Sequence, residues 1–256
     1  TRSAGGDTMR NISGCPVAGK DEHELVETRE LLDRLQEDLR GDDALANMPR
    51  KFNISVTGCC EGCAQDSIND IGLEPAEKEI EGASVRGFNV RVGGGLGGRE
   101  PREARELDVF VTPDDAYELV RGFVELYHAL GNRQNRNKNR ARFFVDDWGT
   151  TKIRKVLDEH YVDFELREAG EDVREEYTYN AGRPIQAGKS DHVGVHDQPD
   201  GRNYVGLSVP VGRITADEAI ELADLADEYG SGEVRLTRRQ NPIVVDVPAE
   251  NLADLL

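Results

Sequence analysis

Lys51 and Asn53 stand two apart in a stretch where Phe52, Ile54 and Val56 alternate with Asn53, Ser55 and Thr57. That period of two marks a half-buried strand, with Lys51 and Asn53 projecting from one face and Phe52 and Ile54 from the other. A cation and an amide projecting together suit an anion site; a solvated strand face fits the same pattern. A second group lies at Arg133–Arg142, where Arg136, Lys138 and Arg140 occupy alternate positions of the only basic run in the chain. By itself such a run reads as a connector bonded to helix carboxyl ends and neighbouring acids. A third group is Cys59, Cys60 and Cys63. Three thiolates in a non-catalytic module would want a fourth donor for zinc or a small cluster, and no His is close in sequence. Cys15 suits a small buried space better than a ligand role. Arg10, in a Gly-rich loop, is by default a solvated charge. His160, His192 and His196 fit no metal-binding spacing, so no metal ligand is assigned.

The 256 residues carry 50 acidic and 32 basic side chains, a net charge of −18. Phosphate contacts need clustered cations, so nucleic acid is disfavoured as a partner. Lysine is scarce beside arginine, a balance similar to that of cytosolic proteins of salt-loving prokaryotes, whose acidic surfaces stay soluble in concentrated salt. No apolar run of about 18 residues exists to form a transmembrane helix, and no secretory leader is expected. The four cysteines form no secreted disulfide framework. A cytoplasmic protein is expected. The start at Thr1 and the stop just after a patterned segment read as a piece of a longer protein.

Several elements must position these groups. Leu25, Val26, Leu31, Leu32, Leu35 and Leu39 predict a helix across 21–40, with Asp21 as N-cap and Glu24 closing a capping box. Residues 74–86 read as an acidic connection before a strand at Gly87–Val92. That strand ends in the turn Gly93-Gly94-Gly95-Leu96-Gly97-Gly98. The turn lacks both a Gly-Lys-Ser/Thr ending and the GxGxxG spacing, which excludes a phosphate loop and a dinucleotide fold. Val109–Val111 is a short strand and 114–130 an amphipathic helix stopped by Gly131. Residues 161–202 read as a charged linker or excursion. From Tyr204 a strand, a helix capped by Thr215 and a strand from Glu233 through Val247 make a β-α-β unit.

Met48-Pro49-Arg50-Lys51-Phe52-Asn53, followed by Asn69-Asp70-Ile71-Gly72, resembles the siroheme-dependent nitrite and sulfite reductases. So do Asp7-x-x-Arg10-Asn11 with Pro16-x-Ala18-Gly19, the glycine turn after Val92, and Gly131-Asn132-Arg133 with Arg136-x-Lys138-x-Arg140. Pro210-x-Gly212-Arg213-Ile214 and Gly230-Ser231-Gly232-Glu233-Val234-Arg235-Leu236-Thr237-x-x-Gln240-Asn241 resemble the start of that family's second repeat. The segment order agrees along nearly the whole chain.

The resemblance implies an α+β fold: a siroheme-binding mixed α/β domain over 1–160, then, after the linker, half of a ferredoxin-like domain over 203–256. It implies an enzyme that reduces nitrite to ammonia in six electrons drawn from ferredoxin, with sulfite reduction to sulfide as the alternative. Siroheme and a [4Fe-4S] cluster are the implied cofactors. The family's cluster cysteines have no counterpart here and are expected downstream, so this chain alone is expected to be inactive. Arg10, Lys51 and Asn53 are the implied substrate residues, and Arg136, Lys138 and Arg140 the siroheme-carboxylate residues. Asn rather than Lys at 53 favours the monoanion nitrite over the dianion sulfite.

Overall fold

In the computed structural model, residues 5–10, 12–59, 62–97, 100–173 and 192–256 are described. Residues 174–191 of the linker expected at 161–202, and Cys60, lie outside them. The larger unit is built on a sheet with strand order β1-β2-β3-β4: β1 (Ile54–Val56), β2 (Ile71–Ile80), β3 (Ala83–Val92) and β4 (Arg105–Val111). The short strand β5 (Glu171–Asp172) pairs with β2 beyond the point where β1 stops.

β2 and β3 form a ten-residue antiparallel hairpin, from Ile71 opposite Val92 to Ile80 opposite Ala83. Its two-residue turn, Glu81-Gly82, has both residues at positive φ, 53° and 80°, the twist that a tight hairpin demands. The acidic connection expected after Leu73 is therefore a strand. Glu74 is buried there because the Arg91 guanidinium opposite meets it at 2.7 Å. Cross-strand pairing of this kind overrides the polar reading of the segment.

The helix expected from residue 21 begins later, as α1 (Arg29–Leu39), with Thr28 as N-cap. Asp21 and Glu24 do not cap it. Leu25 and Val26 donate their backbone N–H groups to Gly58 O, so the segment before Thr28 is spent on holding the end of β1. The helix α2 (Pro113–Leu130) starts at Thr112, whose hydroxyl accepts from Asp115 N, and ends at Gly131. It lays Phe123 and Tyr127 against Phe52, ring centroids 6.0 and 5.4 Å apart. The contacts continue through Phe144 to Trp148 on α3 (Ala141–Trp148), which α4 (Thr150–His160) follows. Burying this aromatic row fixes the loop before β1 that carries Lys51 and Asn53.

The smaller unit is an antiparallel sheet, β6-β7-β9-β8, comprising β6 (Gly194–Asp197), β7 (Asn203–Gly206), β8 (Val234–Leu236) and β9 (Pro242–Val247), with α5 (Ala216–Tyr229) across it. Thr215 and Glu218 form the capping box of α5. β6 lies inside the stretch expected as linker, and the continuous strand expected from Glu233 is instead two strands joined by a turn at Thr237–Asn241. The units are joined by polar contacts: Lys20 Nζ to Asp246 Oδ1 at 2.6 Å, Arg235 Nη1 to Ala18 O at 2.7 Å, and the Arg238 guanidinium to Ala64 O.

Candidate functional site

The loop before β1, the glycine turn after β3 and the connector between α2 and α3 enclose a pocket of about 750 Å³. Arg50, Lys51, Arg136, Lys138, Arg140, Arg142 and Arg238 line it, and Glu100 is the one carboxylate among its lining residues. In a chain of charge −18 this concentration of cations is a local inversion of the surface field.

Lys51 and Asn53 are half-buried on the pocket side, while Phe52 between them is fully buried. The alternation holds at Lys51, Phe52 and Asn53, but β1 starts only at Ile54, and Ser55 and Thr57, expected on an open face, are buried. Phe52 O accepts from Arg10 N, which runs the N-terminal segment alongside. The Arg10 guanidinium bonds Gly6 O at 2.9 Å. Arg10 is not a lining residue, yet its charge is felt at Lys51. Burial lowers the Lys51 pKa, the Arg140 charge lowers it further, Asp70 opposes, and Arg10 and Arg50 add to the depression.

Beneath the pocket lies Asp70, fully buried. Its carboxylate accepts from Arg140 Nη2 at 3.0 and 3.2 Å, and Oδ2 also accepts from the backbone N and Nδ2 of Asn53 at 2.9 and 2.8 Å. Burial pushes the Asp70 carboxyl up, against the pull of Arg140 and Asn53. Asn53 is thus tied by its amide nitrogen to the residue that orients Arg140. At the rim, Arg136 pairs with Asp7 at 2.7 Å while Arg50 meets the same carboxylate at 2.9 Å. Those two cations hold Asp7 below the usual carboxylate range. Lys138 is exposed on the pocket wall.

Two features of the glycine turn explain its composition. Gly93 has φ +81° and donates to Asp70 O. A Cβ on Gly94 would meet Ser67 O at 2.7 Å, so only glycine lets the turn close on the Asn69-Asp70 backbone. Arg142, buried behind the turn, donates to Glu100 O at 2.8 Å. The Nε atoms of Arg140 and Arg142 are buried without a hydrogen-bond partner among the described residues.

Asp70, Arg50, Arg142 and Arg238 were not singled out by the sequence. Arg142 lay within the basic run and Arg50 within the strand motif, so charge clustering could have found them. Arg238 enters from the smaller unit and had no local signal. Elsewhere, the thiols of Cys15, Cys59 and Cys63 lie within 4.8 Å of one another. Cys15, read from the sequence as a space filler, therefore belongs to a thiol group.

Fold and pocket together define an α+β protein with a cation-lined pocket. Residues 5–164 match the nitrite and sulphite reductase 4Fe-4S domain, and residues 196–256 the nitrite/sulfite reductase ferredoxin-like half domain. The chain belongs to the nitrite and sulfite reductase family. It is 75% identical, over its whole length, to 44% of the assimilatory ferredoxin-dependent nitrite reductase of Haloferax mediterranei. It is 38% identical, over 99% of its length, to 48% of the ferredoxin–nitrite reductase of Synechococcus elongatus. The solved Mycobacterium tuberculosis NirA protein superposes with TM-score 0.84 at 28% identity, covering 98% of this chain and 43% of that one. The chain spans about half the length of the curated relatives it matches.

Proposed function

We propose that this chain is the part of a ferredoxin-dependent nitrite reductase that holds the carboxylates of siroheme and the substrate anion. The whole protein would reduce nitrite to ammonia with six electrons from ferredoxin. The observation that carries this reading is the seven-cation pocket in a strongly acidic chain. Siroheme fits these residues: it is a polycarboxylate, and the buried Nε donors of Arg140 and Arg142 have no partner among the described residues. Arg136, Lys138, Arg140 and Arg142 are the residues that would hold it. When bound, siroheme supplies the iron through which electrons reach the substrate.

The described thiols do not fit a [4Fe-4S] cluster. Such a cluster takes four cysteines, each on its own iron, and three thiols within 4.8 Å are too few and too close. Its ligands are therefore assigned to residues other than these.

Lys51 and Arg10 are the groups assigned to the substrate. The arginine fork suits an oxyanion and stays charged at any working pH. Both oxygens of nitrite leave as water and consume protons. Lys51, its pKa lowered by burial and by Arg140, gives up a proton more readily than a solvated lysine does. Asn53 keeps the anion site one cation poorer than a lysine would, which supports nitrite over sulfite. The names of the relatives favour the same substrate. No helix among the described residues is long and apolar enough to cross a membrane. Cys15, Cys59 and Cys63 form no disulfide, which suits a reducing compartment and supports a cytoplasmic location.

Replacing Arg136, Lys138 and Arg140 together with Gln in the full-length enzyme is expected to remove most of the siroheme, read from its visible absorbance per protein. Normal loading in that variant would defeat the assignment.

A further inference from the structure

Cys15 and the Cys59–Cys63 pair come from separate segments that the backbone clamps on either side of the thiols. Ser13 N donates to Ile54 O and Ser13 O accepts from Val56 N, which fixes the approach to Cys15. Leu25 and Val26 both donate to Gly58 O, and Glu24 bridges Cys59, which fixes the other side. Gly14 and Gly58, beside Cys15 and Cys59, have no room for a side chain. A Cβ on Gly14 would meet Leu32 Cδ1 at 2.2 Å, and one on Gly58 would meet Val26 O at 2.4 Å. Cys15 and Cys59 are buried, and Cys63 is half-buried. A cleft of about 280 Å³ lined by Cys15 gives a route in from solvent.

The spacing selects among ligands. A tetrahedral zinc with Zn–S near 2.3 Å holds its sulfurs about 3.8 Å apart, so thiols already within 4.8 Å need only a small contraction. Thiolates on a cubane cluster sit on different irons and stand further apart. Hard cations such as magnesium and calcium take oxygen ligands and are excluded by the donor set. The Arg238 guanidinium, donating to Ala64 O and within electrostatic reach of Cys63, adds a positive group beside the trio.

We propose that Cys15, Cys59 and Cys63 bind a single thiophilic divalent cation, zinc by preference, which staples the N-terminal segment carrying Arg10 to the turn after β1. Binding releases the thiol protons as the sulfurs become thiolates, with no change of oxidation state. Three protein sulfurs leave one tetrahedral position for water or another donor. The inference rests on the thiol geometry and is independent of the substrate reading.

The test is elemental analysis and zinc K-edge X-ray absorption on the full-length enzyme, supplied with zinc and washed. The expected result is about one zinc per chain, with sulfur neighbours near 2.3 Å. Cys15→Ser and Cys63→Ser should each lower zinc at least tenfold while siroheme absorbance per protein stays within a fifth of the parent value. Each of three results would overturn the proposal: zinc at background in the parent enzyme, extra iron in place of zinc, or two of the three thiols lost to a disulfide under reducing purification. The parent measurement stands even where a serine variant fails to fold.

Discussion

Arg140 and Arg136 belong to one basic run, line one pocket and each pair with an aspartate, yet the two pairs are built oppositely. Asp70 is wholly buried, and the Arg140 side chain is 14% exposed; the Arg136 side chain is 65% exposed beside a partly open Asp7. A buried pair cannot give up one partner without stranding the other in a medium that solvates it poorly. An exposed pair trades its partner for water or ligand at little cost. Arg140 is therefore a fixed donor, pinned by a carboxylate that also holds Asn53, while Arg136 is exchangeable and can leave Asp7 for an incoming carboxylate. Within one pocket, depth separates preorganisation from capture.

Removing the pin should have the largest effect. Asp70→Ala leaves Arg140 without its anion and Asn53 without its acceptor, and should cost the full-length enzyme about 3–5 kcal/mol in denaturant unfolding. A loss below about 1 kcal/mol would mean that the buried pair is not a pin.

Lys51 lies between the two depths, beside Arg50 and within reach of Arg140. Lys51→Ala should lower nitrite turnover by about 10²–10³ while leaving the siroheme spectrum nearly intact, the loss expected for a donor that stabilises developing charge. Steady-state kinetics decides; full activity would remove Lys51 from the site.

Glu24 sharpens the contrast from the other side, as a half-buried carboxylate with no ion pair among the described residues. Its pKa is raised to about 7, first by burial, with Glu27, Cys59 and Asp21 adding to the shift and a hydrogen bond from Gly19 N opposing it. Between about pH 4.5 and 7 the unfolded chain ionises this group and the folded chain does not, so its contribution to stability falls as pH rises across that window and stays lost above it. Glu24→Gln keeps an acceptor for Gly19 N and should flatten that part of the stability–pH curve, measured by thermal melts. An unchanged slope would place the titration elsewhere.

Arg136→Gln should do least. No measurable drop in Tm is expected, because the pair with Asp7 is solvent-exposed, and siroheme loading should fall only partly while Lys138 and Arg140 remain. Absorbance at saturating and limiting siroheme distinguishes weakened capture from a lost site.

The parts of this site visible in the sequence were those written in local periodicity or local charge. Alternation about Phe52 exposed Lys51 and Asn53, and the isolation of the basic run exposed Arg136, Lys138 and Arg140. Features made by distant pairing were hidden. Glu74 looked like a loop acid because its cation, Arg91, lies across a hairpin. Asp70 stood in the Asn69-Asp70-Ile71-Gly72 motif with no role of its own, because its partner Arg140 comes 70 residues later. Asp21 and Glu24 met the pattern of a helix start, but the next residues were spent on Gly58 O. The thiols were grouped by proximity in sequence, which brought in Cys60 and left out Cys15. The mixed fold was legible as a string of elements; the pairing of β1, β2 and β5 along one edge was not.

Arg238 reaches from the smaller unit to Ala64 and into the pocket wall, so anything seated there is in contact with both units. Tyr204, Ile243 and Val245 also share the apolar core of the larger unit, so the smaller unit is held by packing as well as by Lys20–Asp246 and Arg235–Ala18. A substitution at that joint, remote from the other cations, would shift one wall of the pocket and change how tightly an occupant is held without touching its remaining contacts.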